Sequence, residues 1–426
     1  LTTQRVAVVG AGWAGLSAAV HAQRLGHAVT LFEMSSQLGG RARAVPVQGH
    51  ELDNGQHILI GAYRATLELM ALVGADASSL LYRMPLSLRF ADASGLRLPG
   101  GAPMPAFVSG VLRCQGWGWR DKLHLLWTAG RWAAQGFRCD PALTVAQLCA
   151  TLPKAVREDL VDPLCVAALN TPAGSASASV FLRVLRDALF SGPGSADLLL
   201  PRGSLDTLLP QPAAAWLQAH GADIRPGSRV LNLAARGSCW AVDDAEFDRA
   251  ILACSASEAA RLCATVAPPW AAQAALLRYE PIITVYARCD RGRLAAPMVA
   301  LHAGDAAPAQ FVFDLGALGA RRGLFAFAIS GARAWVDKGL SATAQATLAQ
   351  AEAAFAKGTW PQPLQLVHVA AERRATFQCT PGLLRPPAQI APGLLAAGDY
   401  VQGPYPATLE GAVLAGRHAA QLLADA

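Results

Sequence analysis

The residues that speak first of chemistry are Gly10-Ala11-Gly12-Trp13-Ala14-Gly15 and Glu33. Glycines at 10, 12 and 15 permit a tight turn, a close approach of backbone to a pyrophosphate, and intimate packing of a helix on a strand. Trp13 and Ala14 sit between them, at a helix N-terminus whose N–H groups face the phosphates. Glu33 stands about 20 residues further on, where a carboxylate can accept hydrogen bonds from a ribose. The elements that must position these residues are legible around them. Residues 6–9 form a short apolar run, 16–25 have helical spacing, Gly26 stops that helix, and 29–32 alternate like a strand. The result is a βαβ unit for a dinucleotide, a ligand that both NAD and FAD satisfy.

The rest of the chain limits the possibilities. Its 426 residues suit two domains, or one nucleotide domain with a large insertion. The 53% hydrophobic and 15% charged fractions make it poor in charge, the latter against roughly a quarter in typical soluble domains, which points to an apolar ligand. The net charge of +6 is scattered and accompanies no nucleic-acid motif. Nine cysteines, an odd number without a CxxC pair, read as reduced thiols in a cytoplasmic protein, and no metal site is assigned. No signal peptide is visible before Val6, and every apolar stretch is interrupted before it could span a bilayer. Membrane contact, if made, is peripheral, on the inner face.

Residues 101–190 read as helical, with Trp117, Trp119, Trp127 and Trp132 clustered among them. Strand readings return at 229–233, 239–242 and 247–253, then at 281–286, 311–313, 324–329 and 364–370, with a helix at 342–355. A last strand at 394–397 runs into Gly398-Asp399, and 407–423 read as a closing helix.

The choice between NAD and FAD rests on residues beyond Glu33. Gly39-Gly40-Arg41-Ala42, together with Gly398-Asp399 and Pro406-Ala407-Thr408-Leu409-Glu410-Gly411-Ala412, resembles the FAD-dependent amine oxidase and phytoene desaturase superfamily. Asp53-Asn54-Gly55-Gln56-His57 and Gly403-Pro404-Tyr405-Pro406 narrow the resemblance to the squalene-associated flavoenzymes, the hydroxysqualene dehydroxylases of hopanoid synthesis. It is strong over roughly the first 65 and last 35 residues and general between them.

The resemblance implies an α/β, two-domain, amine oxidase-like fold of Rossmann type, with a discontinuous FAD domain and an inserted substrate domain. The expected FAD segments are 1–65, 205–260 and 390–426; the substrate segments are a largely helical 66–204 and a sheet-plus-helix 261–389. It implies FAD contacts from Gly10, Gly12, Trp13, Ala14, Gly15, Glu33, Gly40, Arg41, Ala42, Gly55, Gln56, His57, Val230, Gly398, Asp399, Thr408 and Leu409. The implied reaction removes the hydroxyl of an apolar isoprenoid, hydroxysqualene, with hydride from reduced flavin, and draws on an electron donor that no motif identifies. His57 and Glu410 are the candidate acids for the departing hydroxyl, each with a structural alternative: a hydrogen-bonded histidine and a helix-capping carboxylate. The same machinery run oxidatively gives a polyene desaturase or an amine oxidase. A lipid-binding protein without catalysis, of the Rab GDP-dissociation inhibitor kind, shares the fold but lacks an intact flavin site. The Trp-rich segment, with Arg113, Arg120, Lys122 and Arg131 interleaved, reads either as a substrate cap or as a membrane-facing surface.

Overall fold

The computed structural model describes residues 3–47, 49–319 and 322–423; residues 1–2 and 424–426, the outermost ends of the expected FAD segments, lie outside the described residues. A six-stranded sheet has the order Asp223–Arg225, Ala28–Phe32, Arg5–Val9, Arg249–Leu252, Leu394–Ala396, Gln389–Ala391. All pairings are parallel except the last. The central strand is apolar without alternation, and Val6, Ala7 and Val8 are fully buried, because both faces of a parallel sheet are covered.

On one face, the opening helix Trp13–Arg24 packs against the last helix, Leu409–Leu422. Their contact is close because Gly416 lacks a side chain: a Cβ there would lie 2.2 Å from the Ala14 carbonyl oxygen. The Ser17 hydroxyl adds a hydrogen bond to the Val413 carbonyl at 2.8 Å. The opposite face is covered by a three-stranded antiparallel sheet, Leu233–Arg236, Cys239–Val242 and Ala245–Phe247, whose Phe247 meets Phe32 edge-on at 6.0 Å.

A second, five-stranded antiparallel sheet has the order Met298–Ala300, Phe311–Asp314, Leu324–Ile329, Tyr279–Arg288, Gln365–Phe377. Its strands alternate between two cores. Val285, Phe325 and Phe327 pack with the helix Leu340–Ala354, whereas Tyr286, Phe311 and Ala326 join the core shared with the helices Pro103–Arg113, Trp119–Ala134, Asp162–Leu169 and Ala178–Phe190.

Two strand readings change: 247–253 covers the end of Ala245–Phe247 and the separate strand Arg249–Leu252, and 229–233 shifts. Residues 229–232 are irregular and the strand begins at Leu233, because the Asp243 carboxylate takes the N–H groups of Leu231 and Asn232 at 2.9 and 2.7 Å, leaving them no ladder partner. The short strands Ala44–Val47, His50–Asp53, Leu59–Ile60 and Leu81–Met84 carry too little periodicity to be read from the sequence.

Gly416→Ala is expected to destabilise the protein by about 1–3 kcal/mol through overpacking of the two helices. Thermal unfolding measured in excess FAD, where cofactor loss does not limit stability, checks this.

Candidate active site

The opening helix begins at Gly12 with no side chain capping it, so its N-terminal N–H groups face outward as a site for an anion. The three glycines divide the work. Gly10 has a φ of +105°, and a Cβ at Gly15 would lie 1.8 Å from the Gly10 carbonyl oxygen, so both are demanded by the turn itself. At Gly12 an added Cβ would meet only the Gly40 Cα, at 3.8 Å. The space in front of Gly12 is therefore not needed by the fold, and it is where a pyrophosphate would sit.

Glu33, buried at the end of its strand, accepts the Ala11 N–H on Oε2 at 2.7 Å and the Ser35 N–H on Oε1 at 2.8 Å. These bonds orient the carboxylate and leave lone pairs for a ribose. The Ser228 N–H donates to the Glu33 carbonyl at 2.8 Å, which brings buried Val230 alongside; the Val230 carbonyl is itself held by Arg261 at 2.8 Å.

Gly40 abuts Gly12, and the Ala42 carbonyl accepts the Trp13 indole N–H at 3.1 Å. Arg41 bonds Asp399 at 2.7 Å and the Ala375 carbonyl at 2.6 Å, joining the first glycine-rich segment to the last. Burial opposes the Arg41 charge, but the Asp399 carboxylate outweighs it and raises the guanidinium above its ordinary value. Gly398 lies against the Tyr400 ring, Thr408 caps the last helix through the Gly411 N–H at 3.0 Å, and Leu409 opens that helix. Thus Gly12, Gly40, Arg41, Asp399 and the two helix starts converge from both ends of the chain. Near Gly55, the buried Thr284 hydroxyl has no hydrogen-bond partner in the protein. An uncapped helix end, an open cradle at Gly12 and an orphaned hydroxyl all fit a dinucleotide cofactor.

The geometry bears on the two candidate acids, His57 and Glu410. Glu410 is 4% exposed, and its carboxylate accepts the N–H groups of Ala65 and Thr66, both at 2.9 Å, and the Thr66 hydroxyl at 2.7 Å. It caps the neighbouring helix Arg64–Leu72 rather than its own, the capping alternative realised on a different helix. His57 Nδ1 lies 2.9 Å from the Gly55 carbonyl, which can only accept, so Nδ1 carries the proton. Burial lowers the pKa, with Arg41 adding to the effect and the Gly55 bond opposing it. The neutral ring favoured by this setting presents Nε2 as an acceptor, in keeping with the hydrogen-bonded-histidine alternative. In the same loop Asp53 is pushed up to about 7, chiefly by burial, with Asp206 and Glu51 adding and the Leu205 N–H opposing. Gln56 faces a second cavity shared with Asp53, Arg202 and Tyr286.

Beside this loop lies an apolar cavity. Ile58, Ile60, Phe107, Leu125, Trp132 and Phe181 are among its walls, which come from the 58–63 segment, the inserted helices and the edge of the five-stranded sheet. Asp187 is the single acidic or basic side chain among its described lining residues, with Tyr63, Tyr405 and Thr408 supplying hydroxyls. Asp187 was missed in the sequence because no motif surrounds it. The available signal was a carboxylate beside two arginines, 183 and 186, in an otherwise apolar helix.

The model for flavin containing amine oxidoreductases matches residues 13–424. The chain belongs to that family. It is an FAD-dependent oxidoreductase with the amine oxidase-like α/β fold. Among curated relatives, the hydroxysqualene dehydroxylase of Sinorhizobium fredii is 27% identical over 98% of each chain. That of Rhodopseudomonas palustris is 27% identical over 99% of this chain and 98% of its own. Among solved structures, an oxidoreductase from Methanosarcina mazei superposes with a TM-score of 0.71 over 99% of this chain and 100% of its own, at 15% identity, a likeness of fold.

Three outcomes are expected. Gly12→Ala folds normally but loses FAD, whereas Gly15→Ala is destabilised with or without it; thermal unfolding and flavin absorbance separate the two. Glu410→Ala leaves two buried N–H groups unpaired and lowers stability by about 1–3 kcal/mol, read in the same melts. For Asp53, the folded pKa lies above the unfolded one, so its contribution favours folding at low pH and is lost as pH rises from about 4 to about 7. Asp53→Asn is therefore expected to melt higher than wild type at pH 7.5, with the difference shrinking toward pH 4.

Proposed function

We propose that the protein removes the hydroxyl of hydroxysqualene, or a closely similar isoprenoid alcohol, to give the hydrocarbon. The observation that carries this reading is the apolar wall beside the loops that would hold the flavin, with Asp187 the single carboxylate among its described lining residues. A hydrocarbon gains roughly 25 cal/mol per Å² of apolar area buried there. A small polar amine would gain little from such a wall, which disfavours the amine oxidase alternative. The two curated dehydroxylase relatives, aligned almost end to end, support the same substrate class.

In this reading FAD is held by Gly10, Gly12, Trp13, Ala14 and Gly15 at the pyrophosphate, by Glu33 at the ribose and by Val230 toward the adenine. Gly40, Arg41, Ala42, Gly55, Gln56, His57, Gly398, Asp399, Thr408 and Leu409 serve the ribityl and ring end. The boundaries 1–65, 66–204, 205–260, 261–389 and 390–426 belong to the same proposal. When bound, reduced FAD would supply the hydride and, on becoming oxidised, release the proton with which the hydroxyl departs as water; the protein's part is to exclude bulk water, orient the chain of the substrate and bind that hydroxyl. His57, with Nε2 as acceptor, positions rather than protonates.

The proposal includes a peripheral membrane contact. Trp119, Leu123 and Trp127 follow one another at four-residue steps on the helix Trp119–Ala134 and are 66%, 59% and 61% exposed. Lys122 stands over the Trp119 ring and Arg131 over the Trp127 ring, at 5.4 and 5.3 Å. Leu125, Ala129 and Trp132 of the same helix line the cavity. A helix with an aromatic and cationic outer face and a cavity-lining inner face suits extraction of an apolar substrate from an anionic bilayer. No helix among the described residues is long and apolar enough to cross a membrane.

Anaerobic, dithionite-reduced enzyme given hydroxysqualene in detergent micelles is expected to form squalene, detected by gas chromatography and mass spectrometry. Absence of product with FAD fully bound would reject the reading. His57→Ala is expected to weaken FAD binding and, with flavin saturated, to stay within about tenfold of wild-type turnover, since general acid catalysis, worth about 10²–10⁴-fold, is not its role in this reading. Trp119→Ser with Trp127→Ser is expected to abolish sedimentation with phosphatidylglycerol vesicles while sparing turnover in micelles.

A further inference from the structure

The apolar cavity has one polar pole. Asp187 lies near the end of the helix Ala178–Phe190, and its side chain is 14% exposed. Its Oδ2 accepts the Tyr405 hydroxyl at 2.6 Å and Arg183 Nε at 2.9 Å, and its Oδ1 accepts Arg186 Nε at 3.3 Å. The Arg183 guanidinium also stands over the Tyr405 ring at 5.5 Å. Tyr405 is itself fixed from behind, because Arg385 donates to the carbonyls of Tyr405, at 2.8 Å, and of Gly403. Three residues later Thr408 begins the last helix, so this pole borders the segment that forms the cofactor cradle.

The charge state of the pair is set by its bonds. Burial works against ionisation of Asp187, but the hydrogen bonds from Tyr405 and Arg183 outweigh it and hold the carboxyl below its ordinary range. The Tyr405 phenol is pushed up to about 12 by burial and by the Asp187 charge. Asp187 is therefore a carboxylate and Tyr405 a phenol near neutral pH. Acceptor capacity remains at both: an ionised carboxylate offers about four lone-pair sites, of which three are used here, and the Tyr405 oxygen, which donates to Asp187 and accepts from Arg183, keeps a second lone pair.

We propose that Asp187 and Tyr405 form the hydroxyl anchor of the cavity, the positioning pair that accepts the O–H of an isoprenoid alcohol and thereby selects which carbon of a repetitive chain is presented for reduction. This rests on the dehydroxylase reading for its substrate class and deepens it. A long isoprenoid repeats the same methyl-branched unit, so an all-apolar wall holds it in several registers of similar energy. A hydrogen bond to a charged acceptor, formed only when the hydroxyl reaches the pole, separates one register from the rest. The product lacks that hydroxyl and loses the bond, which favours its release.

The test compares binding of alcohol and hydrocarbon. FAD-loaded, oxidised protein is titrated with hydroxysqualene and with squalene in dodecyl maltoside micelles, and the perturbation of the flavin absorbance is followed. Wild type is expected to bind the alcohol about tenfold or more tightly than the hydrocarbon. Tyr405→Phe and Asp187→Asn are each expected to bring that ratio toward one, while the squalene affinity and flavin content stay unchanged. A ratio near one in wild type would overturn the anchor, as would a ratio that survives both substitutions. Equal weakening of both ligands would also overturn it, since that is what a strut between helix and loop would produce. Tyr405→Phe removes a single oxygen and decides the matter alone if Asp187→Asn fails to hold flavin. Loss of the ratio in the variants, with no squalene formed by reduced wild type, would keep the anchor and reject the dehydroxylation.

Discussion

Parallel pairing of Arg5–Val9 with Arg249–Leu252, and of that strand with Leu394–Ala396, is the constraint on which the site depends. Parallel neighbours cannot be joined by a tight turn, so each must arrive after a long connection. Here the connections are whole regions of structure. Pairing over the first strand brings Ala253 within contact of Gly10, and pairing over the last delivers Gly398 and Asp399 to the end of the sheet where Arg41 waits. The cradle and the cavity are thus two results of one topology: the sheet gathers the ligand-facing loops, and the segments between its strands form the wall opposite them.

Close approach of backbone is the second requirement, met by removal of side chains. Gly15 lets its helix touch the turn at Gly10, Gly416 lets the last helix touch the first, and Gly12 leaves space that no protein atom fills. The first two govern packing. Only the third is free for a ligand, and the distinction is visible in distances rather than in residue type. Around them the charged groups are committed to assembly. Glu410 ties the last helix to Arg64–Leu72, Arg41 ties Asp399 to the first segment, and Arg385 ties the 403–405 turn. Burial lowers the His57 pKa and pushes Asp53 up to about 7, and the neighbouring cavity has apolar walls. An apolar substrate meets a surface that costs little to dehydrate.

Local pattern was enough for the nucleotide unit. Glycine spacing, the apolar run of the first strand and the acid after the second are all set within some 30 residues, where backbone sterics and the period of a helix or strand leave few alternatives. The FAD assignment needed resemblance at both ends of the chain, but those residues too were readable in order. The five-stranded sheet was legible as separate runs because its strands alternate between two cores.

What the tertiary structure alone decided is which side chain answers which. Glu410 reads as a cap of its own helix or an acid, yet it bonds N–H groups 344 and 345 residues away. Val230 sits in a stretch with strand-like composition, but Asp243 draws the neighbouring N–H groups out of any ladder. Asp187 and Tyr405, 218 residues apart and without a shared motif, meet at the only acidic or basic group among the described residues lining the cavity. Hydrogen-bond partners and burial depend on where distant segments land, and a one-dimensional pattern records spacing along the chain, not distance across it. The sequence by itself therefore determined the dinucleotide unit, which rests on local periodicity, and carried the fold class and the FAD assignment through the resemblance at its two ends. The protonation of His57, the employment of Glu410 and the polar pole of the cavity depended on the folded neighbourhood that sets desolvation and partners.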